Sequence, residues 1–222
     1  IKYIYEEIER NKENEQLTLG IYESGDKDKL YIETIDNMMF KYFTSYIKEE
    51  KLEKLRVATE KQINKAMVEA INVVKQEYEK VNVLDRKNLT FIIEEIRWMK
   101  SCNYTDIEEY QTIDRIGRIS NNNVESTHKL RKNSKIRKAI FEVMIQYNDN
   151  LKKEKLVDLQ DVALMALRQA KREVGEKYTH IIVDETQDLT RVQLEFIKTL
   201  YMNRSYSSML FVSDTAQSIY PE

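Results

Sequence analysis

The chain has few of the residues that interrupt regular structure: one proline and four glycines among 222 residues. Because tight turns depend mainly on these two residue types, their scarcity predicts long helices joined by few sharp turns. The single cysteine, Cys102, excludes an internal disulfide framework and a multi-cysteine zinc site. We expect Cys102 to be a small side chain packed along a helix, since free cysteines are commonly buried.

The chain also lacks long apolar runs and a strong charge of one sign. No run approaches the roughly 20 apolar residues that span a bilayer, and no signal peptide is visible, which predicts a cytoplasmic protein without a membrane partner. Charged residues make up 33% of the chain, but the net charge is only −2. Contact with nucleic acid would therefore depend on local basic patches rather than on the charge of the whole molecule.

Two apolar runs in the last fifth of the chain each end in carboxylate and amide side chains. Residues 181–183 lead into Asp184 and Glu185, and residues 210–212 lead towards Asp214 and Gln217. Continuous apolar runs are typical of buried parallel strands, and ligands of open α/β sheets bind beyond the carboxyl ends of such strands. An acidic pair there suits a nucleotide site, where one carboxylate holds magnesium and the other orients the attacking water.

Together these pieces resemble the Walker B motif and the following glutamine motif of UvrD/Rep-type superfamily 1 DNA helicases. The resemblance implies an α/β fold: a partial P-loop NTPase (RecA-like) parallel sheet with a large, mostly helical inserted subdomain. The implied domains are residues 1–50 and 154–222, which belong to the RecA-like domain, and residues 51–153, which form the helical insertion.

Three further segments are similar to this family. Residues 31–39 resemble its strand-Thr-Phe-His-helix motif, which touches single-stranded DNA, although Asp36 stands where the histidine is expected. Residues 156–164 look like the Leu-Val-Asp-Phe-x-Asp-Leu segment that precedes Walker B. Residues 109–118 resemble the insertion of some UvrD-like members.

The resemblance implies a role for each residue on the nucleotide side. Asp184 is expected to bind Mg²⁺, and Glu185 to act as the general base or to orient the attacking water. Gln217 is expected to sense the γ-phosphate of ATP, and Asp214 to support its loop or the outer shell of the metal. Gln187 is expected to fix the end of the strand and to relay between the two motifs.

On the DNA side, the expected partner is single-stranded or partly duplex DNA. Tyr220 lies where the family offers an aromatic ring for base stacking, and Thr34 matches the DNA-contacting threonine. Residues 128–138 hold six cations and no acid, and phosphate binding would explain such a run. We therefore predict DNA contacts for Arg118, Lys132 and Lys135, with a solvated helix face as the alternative.

A phosphate-binding loop is missing from this sequence. Such a loop needs Gly-x-x-x-x-Gly-Lys-Ser/Thr, because bare backbone N–H groups must surround the phosphates and a lysine must reach them. No lysine follows any of the four glycines. The sequence also begins without a methionine, so we expect a fragment that does not hydrolyse ATP by itself.

Local patterns predict several elements. Helical spacing indicates a nearly all-helical stretch over residues 51–153, including a helix over 89–100, and a later helix over about 190–201. Residues 29–35 are strand-like, with Asp36 capping the next helix, and residues 105–108 form a capping box that begins at Thr105. Asp158 and Asp161 are expected to cap a helix, and Trp98 to pack in the core.

We interpret the parent protein as an ATP-driven translocase or helicase on single-stranded DNA, with the 3′-to-5′ direction implied by the family. Two alternatives belong to other classes. One is a nucleic-acid- or protein-binding module of a decayed motor. The other is a UvrD-like ATPase of defence or signalling that does not unwind DNA.

Overall fold

The computed structural model describes residues 31–52, 54–115, 130–173 and 177–214. Within these ranges the chain forms seven α-helices, two short 3₁₀ turns before the third helix, and a further 3₁₀ turn after the third strand. The helices are α1 Ile35–Glu49, α2 Glu60–Glu77, α3 Leu89–Ser101, α4 Ile107–Thr112, α5 Lys135–Lys153, α6 Leu159–Arg172 and α7 Arg191–Leu200.

The strands form two parallel pairs. β1 (Arg56–Val57) pairs with β2 (Leu156–Val157), and β3 (His180–Val183) pairs with β4 (Ser208–Phe211). The described chain is therefore helix-rich with small parallel sheets, consistent with a fragment of an α/β fold. The parallel arrangement of the last two strands agrees with their order in the sequence, strand then helix then strand.

Side-chain caps explain where most helices begin. The helices predicted over 89–100 and about 190–201 are confirmed as α3 and α7. Asp158 caps α6 in a capping box with Asp161, as expected. Thr190 forms an equivalent box with Gln193 at the start of α7.

Two predicted helix starts are wrong by one or two residues. Residues 31–34, predicted as strand, have no regular structure, and α1 is capped by Thr34, whose hydroxyl accepts from the Asn37 N–H at 3.3 Å. Asp36 lies inside the first turn instead. At α4 the cap is Asp106 rather than Thr105. In both cases the helix starts after the residue whose side chain accepts a hydrogen bond from the N–H of the third helical residue.

Buried apolar side chains form two separate cores. The boundary between the two cores lies at the β1–β2 strand pair. The first core contains residues of α2, α3, α4 and α5 and ends at Leu156. The second contains residues of α1, α6 and α7 and includes Val157. Because successive strand residues face opposite sides, neighbouring residues of β2 enter different cores.

The burial expected for the last two strands is only half right. Ile181 packs against the second core, but Ile182 on the opposite face is 60% exposed, and its partner Leu210 is 53% exposed. The continuous apolar sequence of residues 181–183 is typical of a strand in a sheet that is covered on both faces. In the described part of the chain, only one face is covered.

A buried ion cluster joins the two cores. The Lys100 ammonium, at the end of α3, lies 2.6 Å from both Asp158 Oδ2 and Asp161 Oδ1, and Tyr147 donates its hydroxyl to the same Asp158 oxygen at 3.0 Å. Lys100 is 1% exposed and Asp158 2%. Burial, and then the Asp158 carboxylate, raise the pKa of Asp161. One lysine thus holds two acids at the start of α6.

A second buried cluster involves the cation run. Arg137 is buried and donates to the carbonyl oxygens of Ile113 at 3.0 Å and Leu130 at 3.2 and 3.1 Å. Nearby, Arg115 forms a bidentate pair with the fully buried Glu95. Arg137 therefore holds chain segments in place and is not a surface cation.

The core prediction for Trp98 fits the structure, whereas Cys102 is less buried than expected. Trp98 packs against the first core and contacts the Tyr104 ring, with centroids 5.4 Å apart. Cys102 is half-buried at the end of α3, and burial raises the pKa of its thiol to about 11. Such a thiol is almost entirely protonated at neutral pH and therefore unreactive.

Replacing Lys100 with methionine should destabilise the chain strongly, because it leaves the buried Asp158 and the mostly buried Asp161 carboxylates without a cation. We expect a loss of about 3–5 kcal/mol in the free energy of unfolding, measured by urea denaturation. The matched control is Lys65→Met, which removes an exposed ion pair with Glu154 and should change the stability little, because solvent screens such a pair. Equal losses in the two variants would contradict a structural role for the buried cluster.

Candidate functional site

The turn after β3 carries the predicted acidic pair. Glu185 has a left-handed backbone conformation, with φ 52° and ψ 43°, and a 3₁₀ turn follows over Thr186–Asp188. A non-glycine residue in this region costs about 1–3 kcal/mol, so the surrounding contacts must enforce it. Two local hydrogen bonds do so: the Glu185 N–H donates to Asp184 Oδ1 at 3.0 Å, and the Asp188 N–H donates to the Glu185 carbonyl at 3.1 Å.

The same turn is fixed to the end of β4. The Val212 N–H donates to the Val183 carbonyl at 2.8 Å, which extends the parallel pairing by one step. The Thr186 N–H and hydroxyl both donate to the Val212 carbonyl at 3.0 Å. The carboxyl ends of the two strands therefore meet at one edge.

Gln187 connects the two strand ends through its side chain. Its amide nitrogen donates to Glu185 Oε2, and its amide oxygen accepts from the Asp214 N–H at 3.1 Å. One amide thus uses both of its functions, which fixes its orientation. The Glu185 carboxylate is held in place, and Asp214 is drawn to the same edge.

The donor atoms at this edge fit a magnesium–nucleotide complex. Asp184 and Glu185 are exposed, and Asp184 Oδ2 has no hydrogen bond to any of the described residues. Magnesium is usually held by one or two carboxylates together with phosphates and waters. In the described part of the chain, no group of three or more acidic, histidine or cysteine side chains forms a metal cage, and such a complex does not need one.

The structure therefore brings four of the predicted nucleotide-site residues to one edge: Asp184, Glu185, Gln187 and Asp214. Gln217, predicted to sense the γ-phosphate, lies outside the described residues. Tyr220 and Arg118, predicted to contact DNA, also lie outside them.

Thr34 and Asp36 lie together at the start of α1. Thr34 is exposed, and its hydroxyl oxygen accepts from the Asn37 N–H while its own O–H can still donate. Asp36, at the position where the resemblance led us to expect a histidine, accepts a hydrogen bond at 3.0 Å from the Gln193 amide of α7. Asp36 is therefore engaged within the chain.

Two of the three predicted basic contacts, Lys132 and Lys135, are exposed near the start of α5. Lys132 forms an ion pair of 2.7 Å with Asp114, and the Lys135 ammonium lies 5.6 Å from the centre of the Tyr78 ring. Beside them is an open cleft of about 370 Å³, whose lining includes Lys135 and Lys138. A phosphate at Lys132 would have to compete with Asp114.

Sequence patterns did not predict the contact between Gln193 and Asp36. A signal existed, because Thr190-x-x-Gln193 is a capping box directly after the acidic turn. That pattern places the glutamine oxygen over the Thr190 N–H. It cannot indicate where the amide nitrogen is directed, since its partner is 157 residues away.

Among the described residues, no helix is both long and apolar enough to cross a membrane.

Comparison with known proteins identifies the family. The family model for the UvrD/REP helicase N-terminal domain matches residues 4–221, nearly the whole chain. A stretch of 87 residues, 37% of the chain, is 34% identical to an ATP-dependent helicase/nuclease subunit of Carboxydothermus hydrogenoformans, and it spans 7% of that protein's length. The chain belongs to the UvrD/REP helicase family, as its motifs indicated.

Replacing Gln187 with leucine should remove the side-chain oxygen that accepts a hydrogen bond from the Asp214 backbone N–H. Without its acceptor, that N–H should exchange with solvent about fivefold faster, corresponding to a hydrogen bond of about 1 kcal/mol, measured by NMR hydrogen exchange. The Thr186 N–H, bonded to the Val212 carbonyl, should keep its protection. The control is Gln146→Leu in α5, and an unchanged Asp214 rate in the Gln187 variant would refute the bridge.

Proposed function

We propose that this UvrD/REP-family chain is part of an ATP-driven motor that moves 3′ to 5′ along single-stranded DNA. The observation that carries the proposal is the pinned edge of β3 and β4, where Asp184, Glu185, Gln187 and Asp214 meet. Family membership supports ATP hydrolysis and DNA as the substrate. The name of the Carboxydothermus relative, a helicase/nuclease component, supports the same class of activity.

The proposed domain arrangement is a RecA-like unit interrupted by a helical subdomain. Residues 1–50 and 154–222 form the first, and residues 51–153 form the second. The division between the two buried cores at Leu156 and Val157 supports these boundaries. The parallel pairing of β1 and β2 supports them too, because it places the entry and the exit of the subdomain side by side.

In the proposed mechanism, Asp184 would hold the magnesium ion of the nucleotide through its carboxylate, whose Oδ2 has no hydrogen bond to any described residue. The ion, when bound, neutralises charge on the phosphates. Glu185 orients the water that attacks the γ-phosphate, and Gln187 keeps that carboxylate in place. The rate acceleration then comes mainly from positioning and from electrostatic stabilisation of the transferred phosphoryl group.

The phosphate cradle must come from elsewhere. Since no Gly-x-x-x-x-Gly-Lys motif is present in these 222 residues, we propose that the chain alone does not hydrolyse ATP. A longer protein would supply the P-loop lysine, the arginine fingers and the second motor domain. Gln217 and Tyr220, carried over from the family, would sense the γ-phosphate and stack on a base.

Replacing Glu185 with glutamine in the full-length protein should lower the kcat for ATP hydrolysis by a factor of about 10²–10⁴, with the KM for ATP little changed. Asp184→Asn should instead weaken Mg·ATP binding and raise KM. Both are measured by steady-state ATPase assays with single-stranded DNA present. Asp149→Asn, an exposed acid on α5, is the control and should behave as wild type.

The wild-type assay separates the proposal from its two rivals. ATP hydrolysis that rises with single-stranded DNA supports the motor. Hydrolysis that ignores DNA would identify a defence or signalling ATPase, and no hydrolysis would identify a binding module. A Glu185→Gln variant with wild-type kcat would contradict the role proposed for that residue.

Charge reversal of Lys132, Lys135 and Lys138 in the full-length protein should weaken DNA binding and flatten its dependence on salt. Each lost phosphate contact lowers the slope of log K against log salt by about 0.7–0.9, which fluorescence anisotropy at several salt concentrations can measure. The matched control reverses Lys152, Lys153 and Lys155, which are also exposed. Equal effects of the two triple variants would remove this patch from the DNA interface.

A further inference from the structure

The amide of Gln193 makes two sets of contacts that join different parts of the chain. Its oxygen accepts from the Thr190 N–H at 2.8 Å and from the Thr190 hydroxyl at 3.0 Å. Its nitrogen donates to Asp36 Oδ1 at 3.0 Å. Because both ends of the amide have partners, its orientation is fixed and it forms a short, defined link.

The link joins the two halves of the proposed site. Thr190 comes two residues after the turn that carries Asp184 and Glu185, and its side chain caps α7, so only a short segment separates the two. Asp36 lies two residues after Thr34, the predicted DNA contact at the start of α1. The link therefore connects the start of α7 to the start of α1.

Other contacts between α1 and α7 set the distance over which the hydrogen bond between Gln193 and Asp36 must form. The Tyr42 ring of α1 meets the Phe196 ring of α7 edge-on, with centroids 5.1 Å apart, which sets the spacing of the two helices farther along. At the helix starts, the Asp36 carboxylate lies beside two N-terminal turns, where a negative charge is favoured. The hydrogen bond from Gln193 adds a directional contact to this apolar packing.

We infer that Gln193 is a positioning residue that couples the nucleotide turn to the DNA-contacting start of α1 through its hydrogen bond with Asp36. The inference rests on the proposed motor function and adds the route by which DNA changes the rate of ATP hydrolysis. Gln193 touches neither substrate. It acts by holding the first turn of α7 against α1.

The test reverses the polarity of one hydrogen bond in the full-length protein. Gln193→Glu keeps the oxygen that caps α7, since glutamate is a usual capping-box residue, but it places a carboxylate against Asp36. Asp36→Asn keeps an oxygen that accepts from Gln193. The double variant, Asp36→Asn with Gln193→Glu, restores a bonded pair, in which the introduced asparagine donates to the introduced glutamate.

The readouts are the kcat and KM for ATP hydrolysis, with and without oligo(dT) single-stranded DNA. For Gln193→Glu we expect the rate without DNA and the KM for ATP to stay within about twofold, while stimulation by DNA falls about threefold to tenfold, the size of one hydrogen bond. Asp36→Asn should be stimulated like wild type. The double variant should recover stimulation to within about twofold.

Asp36→Ala is a second route to the same result if Gln193→Glu does not fold, because it leaves the cap of α7 intact and should lose stimulation equally. Full stimulation of both Gln193→Glu and Asp36→Ala would overturn the inference while leaving the motor function standing. A double variant as impaired as Gln193→Glu would also overturn it. A wild-type protein that DNA does not stimulate would refute the motor function first, and the inference with it.

Discussion

The parallel pairing of β3 with β4 is the constraint on which the candidate site depends. It brings the carboxyl ends of two strands to one edge, and the Thr186 and Val212 contacts extend the pairing into the turn beyond. These contacts hold Glu185 in a left-handed conformation that it would not adopt alone. The acidic pair, Gln187 and Asp214 are therefore held at one edge by contacts within the chain itself, as the proposed nucleotide site would require.

The buried Lys100 cluster holds together the two cores in the rest of the chain. The two buried cores meet at a two-residue strand pair, and Arg191 of α7 also reaches the Tyr104 ring beside the first core. Lys100 ties the end of α3 to the start of α6, and its cost in desolvation is offset by two carboxylates and the Asn148 side chain. We expect this buried cluster to fix the arrangement of the two cores more than it adds net stability.

The sequence predicted correctly those features that depend on residues close together in the chain. The spacing of apolar residues located α3 and α7, and the acidic and amide residues after two apolar runs located the edge of the site. Prediction failed where distant segments decide the outcome. Arg137 belongs to a run of cations but is buried, because the carbonyls of Ile113 and Leu130 converge on it. Ile182 belongs to a run typical of a covered strand, yet it is exposed because cover on a face depends on tertiary packing. No local signal marks the partner of Lys100 or of Gln193.

The most direct measurement is a crystal structure of the full-length protein with Mn²⁺ and a non-hydrolysable ATP analogue, in which anomalous scattering locates the metal. We predict an anomalous peak at coordination distance from the Asp184 carboxylate, with the Glu185 carboxylate facing the γ-phosphate. A metal held entirely by other residues, or an Asp184 side chain directed away from the nucleotide, would contradict the proposed site.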